Sequence, residues 1–150
     1  MPGRDMRDES PGPAGPCPAG PPPASHDTLR LALMDAGRQV RAAADDPDQF
    51  PAARENMARF CFAELLPHLE ADETWLLEAR YCPETRLLAD GIRAEAGAMT
   101  AAVYELVTAT APCQAVAAPR VLHVLLAAHA HHEDLLAHSG RAADGGGRRP

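Results

Sequence analysis

Residues 122–136 read LHVLLAAHAHHEDLL, and the fold turns on whether this run is a helix with a functional face. Leu122, Leu125, Leu126 and Leu136 recur at helical steps, the period of one apolar stripe. The same stripe passes through positions 129 and 133, which hold His129 and Glu133. Spaced i, i+4, these two side chains stack one turn apart. An imidazole and a carboxylate on the apolar side of a helix need a physical reason.

Working outward, the pattern repeats. The stripe Met57, Cys61, Leu65 and Leu76 passes through His68 and Asp72, again i, i+4, and the face Leu29, Leu33, Val40 begins with His26. Between 26 and 139 the chain is rich in Ala, Leu, Glu and Arg, with no alternating β-branched run, so it reads as all-α. Four helices separate at proline-bearing breaks. The first spans 26–44 with Ser25 as N-cap and Asp27 in its first turn, and DDPDQFP ends it. The second spans 51–80 and closes at YCPE, and the third spans 84–108, before TAPCQ. The fourth is expected to start at Pro119, a good first-turn residue, and to stop before Gly140, a good C-terminal cap. Short connections between four helices imply an antiparallel up-down four-helix bundle. Pro67, inside the second helix, removes a backbone donor and should kink it.

Composition narrows the rest. Residues 1–24 hold eight of the 15 prolines and almost no large apolar side chain, so they read as a disordered arm, and 140–150 read as a tail. The part left to fold suffices for one core. A net charge of −7 without a basic stripe argues against a nucleic-acid partner. No apolar run approaches the ~20 residues of a membrane span, and no apolar leader core is visible, so a cytoplasmic location is expected. Cys17, Cys61, Cys82 and Cys113 form no C-x-x-C pair and read as buried or idle thiols.

Taken singly, an inward histidine is usually a hydrogen-bonded core residue. Here three helices each aim one at the interior, and two add a carboxylate one turn later. Buried carboxylates need a partner or a metal, because an unpaired buried charge costs several kcal/mol. Nitrogen and bridging oxygen ligands of this kind are what carboxylate-bridged iron pairs use. HEDLL is not the zinc-protease helix, since Leu136 stands where its second histidine would be. His132 lies at the edge of the face as a spare or supporting group, and His123, His131 and His138 point to solvent. Trp75 and Cys61 read as core. Tyr104 reads as a boundary residue or as a proton donor facing the pocket.

HDTLRLAL, FAELLPHLEADETWLL and LHVLLAAHAHHEDLL resemble the hemerythrin-like, HHE cation-binding family over residues 26–138. The resemblance implies an antiparallel four-helix bundle around a non-haem iron centre, usually of two irons, that binds O2, nitric oxide or peroxide. It implies that His26 and His68 hold one iron and His129 the other, with Asp72 (or Glu73) and Glu133 (or Asp134) bridging. The third helix departs from the pattern. Ala96 stands where a histidine ligand belongs, and Thr100, one turn on, is not a histidine either. Glu95, on the stripe Leu88, Ile92, Met99, Val103, either turns inward as an oxygen ligand or stays solvated at the edge. The expected metal ligands are therefore His26, His68, Asp72, Glu95, His129 and Glu133, around two irons or one. The family resemblance favours a gas-binding or sensing protein. The alternatives are an O2-dependent non-haem iron oxidase or oxygenase acting on a small organic substrate, and a metal-free interaction bundle.

Overall fold

A computed structural model describes residues 26–145, with side chains through residue 139. The proline-rich arm and the Ser25 cap lie outside the described residues. The order is α1 (His26–Ala42), α2 (Phe50–Phe60), a π turn (Cys61–Leu65), α3 (Leu66–Ala79), α4 (Arg86–Thr108) and α5 (Pro112–Gly145). Among the described residues there is no strand. Since α2, the π turn and α3 run on without a break, the four helical stretches expected from the proline breaks are present.

Two expectations are corrected. The last helix starts at Pro112, not Pro119. The rule that favours proline in a first turn holds, but it applies to the earlier proline, whose missing N–H has no helical partner there. The Gln114 side chain supports this start by accepting hydrogen bonds from the backbone of Thr110 (3.2 Å) and Ala111 (3.3 Å). Pro119 lies inside the helix and is buried. Nor does Gly140 end the helix, which continues to Gly145.

The helix departs from regular α geometry in the turn before Pro67. A proline ring clashes with the carbonyl four residues back and offers no N–H to it. The ladder is already reset before it, as the Leu66 N–H donates to the Cys61 carbonyl, five residues back. Pro67 therefore stands one residue past the reset, in the first turn of α3. The extra residue also changes the buried face. Met57, Cys61, Leu65 and Leu69 are all buried at steps of four. Such a column drifts by roughly 40° per step in a regular α-helix, and the wider π turn absorbs that drift. The buried column thus passes through Leu69, Asp72 and Leu76, while His68 stands beside it, facing α1.

α5 packs against α4 and α1, α1 against α2, and α3 against α4. Side chains close two of the connections. Asp46 Oδ1 accepts from the backbone N–H of Asp48 (3.0 Å) and Gln49 (3.2 Å), and buried Thr85 donates through Oγ1 to the Ala79 carbonyl (2.7 Å). The apolar interior is in two parts. The larger includes Leu33, Met57, Leu65, Leu69, Met99, Val103, Leu122 and Leu126, and the smaller consists of Leu76, Ala79, Ala89, Ile92 and Leu136. Along α3 and α5 the residues between these parts are Asp72, His129 and Glu133, all buried. Cys61 is a buried free thiol and Cys113 an exposed one.

Gly37 of α1 faces Pro119 of α5, where an added Cβ would lie 2.8 Å from the Pro119 Cβ. A rigid ring cannot yield as a flexible chain end can. Gly37→Ala should therefore lose about 1–3 kcal/mol to overpacking, against a helix-propensity gain of at most ~1 kcal/mol, and lower the thermal midpoint by a few degrees. At Gly91 nothing lies within 4 Å of the added Cβ, so Gly91→Ala should raise the midpoint. Paired thermal melts check the opposite signs.

Candidate metal centre

His26, in the first turn of α1, His68 in the first turn of α3, and His129 and Glu133 on α5 come together from three helices. One ligand atom from each lies within 4.8 Å of all the others. His26 Nε2 and His68 Nε2 are 3.1 Å apart. The two oxygens of Glu133 divide between histidines, Oε2 lying 2.9 Å from His26 Nε2 and Oε1 3.2 Å from His129 Nε2. Asp72 Oδ2 joins from the side, 3.4 Å from His68 Nε2 and 3.7 Å from His129 Nε2. Its other oxygen accepts a hydrogen bond from Trp75 Nε1 (3.3 Å). Three ring nitrogens and two carboxylates thus face one point.

Water does not satisfy these groups. The His129 side chain is wholly buried, and those of His68, Asp72, His26 and Glu133 are 7–10 % exposed. Asp72 Oδ2, Glu133 Oε1 and His129 Nε2 are buried with no aligned hydrogen-bond partner, despite their short separations. Each such atom costs about 1–3 kcal/mol. Atoms that converge, are dehydrated and lack hydrogen bonds to one another have the donor pattern of a cation cage. Two carboxylates among imidazoles that give up any proton on binding match a divalent cation. The cluster could therefore hold a metal ion.

The protonation states follow from the same packing. Burial alone would lower the His129 pKa, but the carboxylates of Asp72 and Glu133 outweigh it and raise it to about 9. Burial alone would raise that of Glu133, but His129 and His26 outweigh it and lower it to about 2. His68 is held below the ordinary imidazole value by burial, with Asp72 opposing and His26 reinforcing.

Of the six expected ligands, His26, His68, His129 and Glu133 are brought together, Asp72 adjoins them, and Glu95 does not join. Glu95 Oε1 lies 2.8 Å from His132 Nδ1, and Oε2 lies 4.0 Å from His129 Nδ1, on the far side of the ring from the cluster. It is neither an inward ligand nor a solvated edge group. Glu73 is committed elsewhere, accepting from Arg93 Nη2 at 2.6 Å and Nε at 3.0 Å, and Asp134 is exposed. Ala96 packs against the larger apolar part. Cys61 is core as expected, and burial pushes its thiol up to about 12. Tyr104 is exposed and meets Phe62 edge-on, so it does not face the centre. Trp75 is only half-buried, and its bond to Asp72 is a role that the sequence reading missed, although the i, i+3 spacing allows it. His123, expected in solvent, has a buried and unpartnered Nδ1 beside a groove between α1 and α5.

No protein-family model, curated protein or solved structure gives a significant match to this chain. Among the described residues no helix is long and apolar enough to cross a membrane.

The pairings set a pH dependence for chelator-treated protein. The folded pKa of His129 lies above the ordinary 6.5, so its stabilisation is complete below that pH and is lost as pH rises through about 9. His68 has the opposite sign and takes stability away as pH falls below 6.5. Glu133 adds to that loss below 4.5, toward about 2. Thermal midpoints should therefore peak near pH 6.5. His129→Gln should flatten the alkaline limb, and an alkaline limb unchanged in that variant would refute the pairing.

Proposed function

We propose that this chain is a hemerythrin-like antiparallel up-down four-helix bundle that holds non-haem iron and handles O2, nitric oxide or peroxide as a gas-binding or sensing protein. The packing of α1 on α2 and α5, and of α4 on α3 and α5, supports the bundle. The convergence of His26, His68, His129 and Glu133 carries the metal reading. Mixed imidazole and carboxylate donors suit iron among the first-row metals. His26, His68, His129 and Glu133 would hold the ion, with Asp72 as a further oxygen donor. When bound, iron supplies redox-active Lewis acidity toward small oxygen or nitrogen ligands.

The chain's own residues do the rest. The two apolar layers exclude water, and Trp75 holds Asp72 by one oxygen so that the other faces the histidines. Burial this deep favours a ligand of few atoms over a bulky organic substrate. The compact donor set favours a single ion. α4 has no histidine to offer a second ion, and the Glu95 oxygens are turned to His132 and to the far side of His129. The division of Glu133 between His26 and His129 is the observation that favours a bridged pair instead.

Metal content after anaerobic reconstitution with ferrous iron tests the proposal, beside a His129→Ala variant. One iron per chain, lost or much weakened in the variant, is expected, together with a thermal midpoint that rises on loading. Two irons would establish the bridged pair. No iron, with thermal stability unaffected by chelation, would refute the proposal and leave a metal-free interaction bundle.

A further inference from the structure

The geometry points to Glu95 and His132 as positioning residues that fix the tautomer and ring orientation of His129, so that its Nε2 is offered to the metal. This inference rests on the metal reading of the preceding subsection. His129 Nδ1 and Glu95 Oε2 are both buried without a hydrogen-bond partner, and they face each other at 4.0 Å. A closure of about 1 Å brings them to hydrogen-bond length. Glu95 is held in place from its other side by His132 Nδ1, at 2.8 Å from Oε1.

An ionised carboxylate only accepts, so the atom facing it across that gap is best satisfied as Nδ1–H. A neutral imidazole with its proton on Nδ1 has its lone pair on Nε2. That is the nitrogen aimed at Glu133 and Asp72. A metal-bound histidine commonly has its second nitrogen fixed by a carboxylate in this way, and losing that carboxylate typically weakens metal binding 10–100-fold. A plain surface pair explains less. The Glu95 side chain is 17 % exposed and that of His132 36 %, yet the oxygen turned to His129 is closed off from solvent. The chain thus has no α4 ligand at Ala96, but it uses the neighbouring Glu95 to hold a ligand from α5.

Zn2+ is a suitable probe because it is diamagnetic and needs no turnover. Zn2+ affinity is measured by chelator competition on wild type, Glu95→Gln, Glu95→Ala and His132→Ala, with thermal midpoints of the chelator-treated proteins. Long-range 1H–15N NMR of the Zn2+-loaded wild type reads the His129 tautomer directly. The inference expects one Zn2+ per chain, bound through Nε2 with the proton on Nδ1. It further expects affinity about 10–100-fold lower in Glu95→Ala. Glu95→Gln keeps the side-chain volume but loses the charge and one of the two acceptor oxygens that face His129 and His132, so it too should bind more weakly. His132→Ala should show a smaller loss of the same kind. Wild-type affinity in both Glu95 variants, or His129 bound through Nδ1, would overturn the inference and leave the metal reading standing. A fall from two ions to one in Glu95→Ala would overturn it by making Glu95 a ligand. A wild type that binds no Zn2+ would overturn the metal reading, and this inference with it.

Discussion

Desolvating the carboxylates of Asp72 and Glu133 inside an apolar core is the constraint to which the rest of the structure answers. Each loses hydration worth several kcal/mol, which close positive charge or strong donors must offset. Among the described residues the imidazoles and the Trp75 indole are at hand, and they offset it partly, as the raised pKa of His129 and the lowered one of Glu133 show for the imidazoles. Several polar atoms still lack partners. The polar layer is therefore costly as it stands, and it also sets the helix registers. Were α3 or α5 to slide by a turn, carboxylates would enter one of the two apolar layers and leucines would enter the polar one.

The layered core also bears on the kind of chemistry that fits. Leu65, Leu69 and Leu126 lie on one side of the polar layer, and Leu76 and Leu136 on the other. A charge between them is poorly screened, and this sharpens every electrostatic contact. A groove of about 630 Å³ runs between α3 and α4, lined in part by Leu69, Glu73, Arg93 and Ala96. None of the clustered histidines or carboxylates lines it. The centre and the groove are neighbours without being one site.

Much of this was legible in the sequence because the helical period converts spacing into direction. The pairs His68–Asp72 and His129–Glu133 sit at i, i+4, and both reach the interior, although His68 does so beside the buried column. His26 was legible because α1 begins with it. Where the reading failed, the deciding physics is not periodic. Pro112 and Pro119 are locally alike, and only the packing of Pro119 against Gly37 separates them. Glu95 lies on the correct stripe, but which ring nitrogen it meets depends on the relative rotation of α4 and α5, which no single helix encodes. The bond from Trp75 to Asp72 and the buried Nδ1 of His123 depend on rotamers and neighbours in the same way.

The π turn gives the second helical rod two separate phases. Up to Cys61 its buried face is set by α2, and beyond Leu66 the extra residue sets the face of α3 anew. Removing one residue from 61–65 would return the rod to a regular α-helix, with Leu69 eleven positions beyond Met57 and roughly 20° from its face, so Asp72 and Leu76 would keep their aim. The rod's length could change by one residue within this segment at little cost to the centre, but not elsewhere between Met57 and Leu76, where the residues beyond would turn by roughly 100°. In a lineage of such chains, a single-residue insertion or deletion should be tolerated in this one turn and in the connections and be purged from the rest of the rod, so the aim of Asp72 would survive a change in the count of residues before it.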